Sequence, residues 1–273
     1  GKGVRGYLSN YSKLVQTIKD NDYDLIHAHF GLSGCLSVLQ RTLPVITTFH
    51  GGDVDLLRNK PFSILAMLLS SHSIFVNKND MKRYETFVKR KSSVIPCGVD
   101  LNQTFPLNSI SNLREKYNFP KEEKIIIFSS SFDRDVKNVS LAKEALKSLN
   151  SNIILKELNG YSREEVNELL NVGDLLLLTS KREASPMVIK EAMACNCPIV
   201  TTNVGDAKEV IGNTEGCYIT SFEPDDVAQK IQKALDFGTR TNGRNNISKV
   251  EINDIAKQVI EVYESVLKKK KRS

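Results

Sequence analysis

Nine short apolar runs recur along this chain, and most show no alternation of apolar and polar residues. They fall at 25–28, 45–49, 73–76, 93–96, 124–128, 152–155, 175–178, 198–201 and 217–219. A strand with one wet face alternates. A strand covered on both faces stays apolar throughout, which is the habit of parallel sheets. Between the runs lie amphipathic stretches with helical spacing, at 141–149, 163–171, 187–194 and 224–237. Strand and helix in regular succession predict an α/β architecture built on parallel sheets.

The succession breaks once. Pro96, Gly98, Asn102, Pro106, Asn108 and Pro120 punctuate the stretch before Lys124, where a fresh strand begins. Two α/β domains are therefore expected, 1–105 and 106–252, followed by a helix and basic tail over 253–273 that packs back across the boundary. Only three or four strands precede the break, and none stands ahead of Gly1-Lys2-Gly3, so the first domain reads as truncated or built on a small sheet.

Charge and cysteine usage narrow the class. The formal net charge is +6, of which Lys268 to Arg272 supplies five, so the body is nearly neutral and is not a nucleic-acid binder. That tail reads as a solvated helix end, or as a contact for acidic lipid or nucleic acid. The five cysteines, Cys35, Cys97, Cys195, Cys197 and Cys217, are odd in number and scattered, as reduced thiols in a cytoplasmic protein would be. The apolar stretch 62–76 is too short and too polar to span a bilayer, and no leader is read at Gly1-Lys-Gly-Val-Arg5. Walker and G-x-G-x-x-G loops are missing.

The chemistry gathers after the 175–178 run. It feeds Thr179-Ser-Lys-Arg-Glu183, then Ala184-Ser185-Pro186, then a helix that opens near Pro186. First-turn amides have no partner within their helix and carry its positive end, so a strand leading into such a start is a ready anion site. Glu183 in the loop and Glu191 inside the helix could each accept from hydroxyls. On local physics alone they read equally well as a capping and an exposed helical Glu.

The segment Glu183-Ala-Ser-Pro-Met-Val-Ile-Lys-Glu191-Ala-Met-Ala-Cys-Asn-Cys-Pro-Ile-Val resembles the donor-binding segment of the family-4 retaining glycosyltransferases of the B-type fold. Asp24-Leu-Ile-His27-Ala-His29, Leu43-Pro-Val-Ile-Thr-Thr-Phe-His50-Gly51 and Val94-Ile-Pro-Cys-Gly98-Val-Asp100 follow the order and spacing of that family. The resemblance implies two Rossmann-like domains facing a cleft, and sugar transfer from a nucleoside-diphosphate sugar, a UDP-sugar by preference, to a glycan or lipid-linked acceptor. That is work of polysaccharide assembly at the inner face of the cell membrane.

It also implies roles for matching positions. His50 and Glu183 would contact the donor sugar and Lys137 the diphosphate. Gly51, Ser185, Pro186, Met187 and Val188 would give close backbone approach, and Glu191 would hold the ribose. The Arg that the family carries ahead of its lysine is Ser131 here, with Arg134 the nearest substitute. A glycine-rich loop of the family's first domain has no counterpart. His27 and His29 share one strand face, and one of them could line the acceptor side. Asp53-Val-Asp55 and Asp133-Arg-Asp135 have the Asp-x-Asp form that A-type transferases use for a metal, but neither ends an A-type strand, and no metal or other cofactor is expected. A sugar-nucleotide epimerase, a phosphorylase of similar fold, or a catalytically weak nucleotide-binding module are the competing readings.

Overall fold

The computed structural model describes residues 3–55, 57–88, 91–149 and 152–270. Each of the nine apolar runs is a strand. These are β1 (Ile26–His29), β2 (Val45–Phe49), β3 (His72–Phe75), β4 (Ser92–Val94), β5 (Lys124–Phe128), β6 (Ile153–Glu157), β7 (Leu175–Leu178), β8 (Ile199–Thr202) and β9 (Cys217–Thr220). They form two sheets, ordered β1-β2-β3-β4 and β6-β5-β7-β8-β9, with every pairing parallel.

Strand β7 explains the lack of alternation. All four leucines are fully buried. Leu176 and Leu178 enter one core cluster with Ile125, Ile127, Ile189 and Met193. Leu175 and Leu177 enter the opposite one with Ile126, Phe128, Val227 and Ile231. Successive side chains point to opposite faces, and helices cover both, so no position tolerates a polar residue.

The chain divides into two compact units, Gly1–Cys97 with Asp254–Ser273, and Gly98–Asn253. The division falls at Cys97–Gly98, ahead of the expected 105, because the intervening residues are bound to the second unit. Val99 exchanges backbone hydrogen bonds with Val250 and Ile252. Arg244 donates to the Leu101 and Thr104 carbonyls, and Asn167 accepts from the Phe105 amide.

The last helix, Ile252–Lys270, belongs largely with the first unit. Ile255, Val259, Val262, Tyr263 and Val266 pack with Leu25, Ile46, Ile74 and Ile95. These helix positions recur at three- and four-residue intervals, the spacing of one helical face. Its last turn carries Lys268, Lys269 and Lys270. The remainder of the expected basic tail, Lys271 and Arg272, lies outside the described residues, as do Gly1 and Lys2. Among the described residues no helix is long and apolar enough to cross a membrane.

Order in the second sheet positions the site. The chain passes from β5 to β6 on one side, then crosses to β7 on the other side of β5. The loops leaving β5 and β7 therefore open beside each other at a switch point, where parallel α/β sheets hold ligands.

Candidate functional site

The loop after β5 runs through Ser129-Ser130-Ser131 to a 3-10 turn, Asp135–Lys137. Asn138 follows in the left-handed region (φ 55°) and redirects the chain into the Val139–Lys147 helix. The loop after β7 is bound to this turn. Thr179 Oγ1 donates to the carbonyls of Lys137 and Asn138, each at 3.0 Å, and the Lys181 amide donates to the Val136 carbonyl at 2.9 Å.

Lys137 is only 8% exposed, and its Nζ donates to Glu183 Oε1 at 2.7 Å. Ser180 Oγ donates to the same oxygen at 2.7 Å. An ion pair this enclosed is screened far less than a surface pair. The structure thus joins the two residues that the sequence put forward separately, one for phosphate and one for sugar.

Beside them the Met187–Ala194 helix begins, with Pro186 at its N-cap and no side-chain cap on its first turn. Met187 stands at the surface and Val188 is half-buried. Glu191 lies one turn further in. Burial raises its carboxyl above the ordinary range, and the charge of Arg163 offsets only part of that rise.

The substitutes for the missing Arg are less engaged. Arg134 is exposed, with a long 3.4 Å contact from its Nη1 to Ser130 Oγ. Ser131 Oγ donates to Asp133 Oδ1 at 2.5 Å. Asp135 pairs with Lys181 at 3.1 Å, both exposed.

In the first unit His50 directly follows β2, and Gly51 comes next with φ 87°. Asp53 holds this corner, its Oδ1 accepting from the His50 amide at 3.0 Å and its Oδ2 from the Gly31 amide at 2.8 Å. That carboxylate is committed to backbone. Among the described residues no group of three or more His, Cys, Asp or Glu is placed to hold a metal ion.

His29 Nδ1 and His50 Nε2 share a hydrogen bond of 3.0 Å, and the Phe30 ring lies 4.7 Å from the His50 ring. Burial, then the charge of His29, brings His50 down to about 4. His27 is also brought to about 4, by burial first and then by its two imidazole neighbours. Both its ring nitrogens are taken, Nδ1 by Tyr263 Oη at 2.6 Å and Nε2 by Thr48 Oγ1 at 2.7 Å. Of the two strand histidines, His29 is the one bonded to His50.

Two models of known families match the chain. The glycosyltransferase family 4 model covers residues 1–103 and the glycosyl transferases group 1 model covers 157–250. The chain belongs to the family-4, group 1 glycosyltransferases. The N-acetyl-alpha-D-glucosaminyl L-malate synthase of Bacillus anthracis is 23% identical over 249 residues, 76% of this chain and 64% of that protein. An uncharacterized glycosyltransferase of Methanocaldococcus jannaschii is 27% identical over 261 residues, 86% of this chain and 72% of that protein. The chain thus spans roughly two thirds of the length of these relatives.

Solved structures share the fold, that of B-type glycosyltransferases with two Rossmann-like domains. Anabaena Alr3699/HepE in complex with UDP-glucose superposes with a TM-score of 0.80 at 20% identity, over 93% of this chain and 82% of that one. A glycosyltransferase from Rickettsia africae gives 0.80 at 20% identity, over 98% and 83%.

For this family member, sequence reasoning missed a buried trio behind the Glu183 loop. Lys190 is fully buried; its Nζ donates to Ser185 Oγ at 2.5 Å and lies 3.0 Å from Asp206 Oδ2, to which Ser185 Oγ donates at 2.7 Å. A signal was present. A lysine in the opening turns of a helix opposes the helix dipole unless a carboxylate compensates it. Ser180 and Thr179 were missed too, since their hydroxyls act on partners dozens of positions away or on a loop with no periodicity.

Proposed function

We propose that this chain transfers a sugar from a nucleoside-diphosphate sugar, with a UDP-sugar as donor, to a glycan or lipid-linked acceptor with retention of anomeric configuration. The observation that carries the reading is the enclosed Lys137–Glu183 pair, set between the β5 and β7 loops beside a helix start that no side chain caps. The likeness to a protein solved with UDP-glucose supports the choice of nucleotide.

In this reading the bond from the anomeric carbon to the diphosphate oxygen breaks while a bond to the acceptor oxygen forms on the same face. Negative charge grows on the departing diphosphate. The Lys137 ammonium and the first-turn amides of the Met187–Ala194 helix are set in place to meet that charge, so little reorganisation is needed. The leaving phosphate oxygen takes the acceptor's proton, which removes the need for a protein base. Glu183, already held by Ser180, orients the sugar hydroxyls. Glu191 takes the ribose diol. His50 is assigned a sugar contact, as a neutral imidazole at neutral pH. Arg134 is the proposed second cation for the diphosphate. No metal is assigned a part.

Cytoplasmic work at the inner face of a membrane fits the free cysteines and the Lys268–Lys270 turn, and is likewise proposed. The reading is tested by incubating the purified chain with UDP-glucose, UDP-N-acetylglucosamine and other donors, and following UDP release and the anomeric configuration of the product. Donor-dependent release with retention supports it. Failure of every donor to release a nucleoside diphosphate in the presence of glycan and lipid-linked acceptors would sink it.

A further inference from the structure

Lys190 is one of the largest fully buried side chains in the molecule, yet it is charged, and it immediately precedes Glu191 on the helix that opens the candidate donor site. A buried ammonium is unstable without a carboxylate and hydrogen bonds to satisfy it. Asp206 supplies the carboxylate at 3.0 Å, and Ser185 bridges the two. The bridge leaves the core at Ser185, in the loop between Glu183 and the helix start.

The end of β8 and the loop that follows it, which carries Asp206, brace the turn after β7 twice more. Thr202 Oγ1 donates to the Ser180 carbonyl at 2.7 Å. Gly205, at φ 57°, lies so close beneath the loop that a Cβ there would stand 2.3 Å from the Ala184 carbonyl oxygen. Three contacts thus tie the end of β8 and the turn after it to successive points of the turn after β7.

We propose that Lys190 and Asp206 are positioning residues for the donor site. Their buried ion pair grips the Ser185 hydroxyl and so fixes the 183–187 backbone, with its amides and the Glu183 carboxylate, in the geometry a diphosphate needs. The proposal rests on the nucleotide-sugar reading above for its ligand. The Ser185 hydroxyl donates to Asp206 and accepts from Lys190, so it is committed inward, and Ser185 serves a ligand through its backbone amide. A shell that locks the rotamers and backbone of contacting groups is what keeps such a site preorganised.

Two measurements on the purified chain test it. The first is hydrogen exchange without ligand. Amide exchange across 183–187 should speed at least about tenfold in K190M and in S185A, while S185T, which keeps the hydroxyl, should restore slow exchange. S185A alters a half-buried loop residue and keeps the test open if K190M fails to fold. Unchanged exchange in the folded variants overturns the proposal.

The second is calorimetric titration with UDP and with uridine. K190M and S185A should each lose roughly tenfold in UDP affinity, and the double variant should lose no more than the worse single, because the residues act as one unit. Uridine, which lacks phosphate, should bind all of them alike. Additive losses, or a parallel loss of uridine, overturn the proposal. If the unmodified chain binds no UDP while exchange responds as expected, the tether stands and the donor reading falls.

Discussion

Lys137 Nζ lies 2.7 Å from Glu183 Oε1, and this contact joins the two loops that leave adjacent strands β5 and β7. Without ligand each charge neutralises the other. A diphosphate arriving at Lys137 would compete with Glu183 for the ammonium, which couples donor binding to release of the carboxylate toward the sugar.

That coupling separates two substitutions. K137A should weaken UDP binding and cut turnover by roughly 10- to 1000-fold, the range for removing a group that stabilises transition-state charge. E183Q should bind UDP as well as or better than the unmodified chain, since the ammonium no longer has a carboxylate partner, yet lose at least about tenfold in turnover. Calorimetry paired with UDP-release rates checks both.

Gly205→Ala should be costly despite its single added carbon. The new Cβ meets a backbone carbonyl at 2.3 Å, in a left-handed conformation that L-residues resist. Loss of about 1–3 kcal/mol of stability is expected from strain of this kind, read by urea denaturation, together with weaker UDP binding because the 183–187 loop must shift.

The imidazole cluster sets a pH dependence. His27 and His50 titrate near 6.5 when unfolded and at about 4 in the folded chain. Between those values the unfolded state binds more protons, so stability rises with pH across that window. The contribution is complete above about pH 6.5, falls as pH drops toward 4, and is lost below it. Thermal melts from pH 4 to 8 should show this slope, and H50N should flatten it.

Leu177→Ala empties volume between β7 and the helices over that face, where Leu177 is fully buried. Destabilisation of about 2–5 kcal/mol is expected. Denaturant titration should show it as a lower midpoint at unchanged slope.

Much of the architecture was legible because burial on both faces leaves its own mark. The run Leu175–Leu178 announces a central parallel strand, and Glu183 and Glu191 stand out against it. Lys190 gave a signal near its helix start but its partners did not, because Asp206 lies 16 positions away and the Ser185 hydroxyl has no pattern of its own. Nor was the role of His27 legible, since its partner Tyr263 lies 236 residues away. The segment after Cys97 is rich in Pro and Asn and looks like a linker, but Arg244, Asn167 and Asn171 bind it. Local composition reports turns well and long-range hydrogen bonds hardly at all.

The Ile252–Lys270 helix packs with Ile46, Ile74 and Ile95, yet its packing residues, Ile255 to Val266, are made after the whole of the second unit. During synthesis that face of the first sheet therefore stays uncovered while Gly98–Asn253 emerges, a delay of roughly 10–30 s at ordinary elongation rates. The second unit can complete its core as soon as it leaves the ribosome, but the first must wait until the helix residues 255–266 have emerged. A nascent chain of this design presents a bare aliphatic surface throughout that interval, and the step most open to chaperone control is the docking of the Ile252–Lys270 helix.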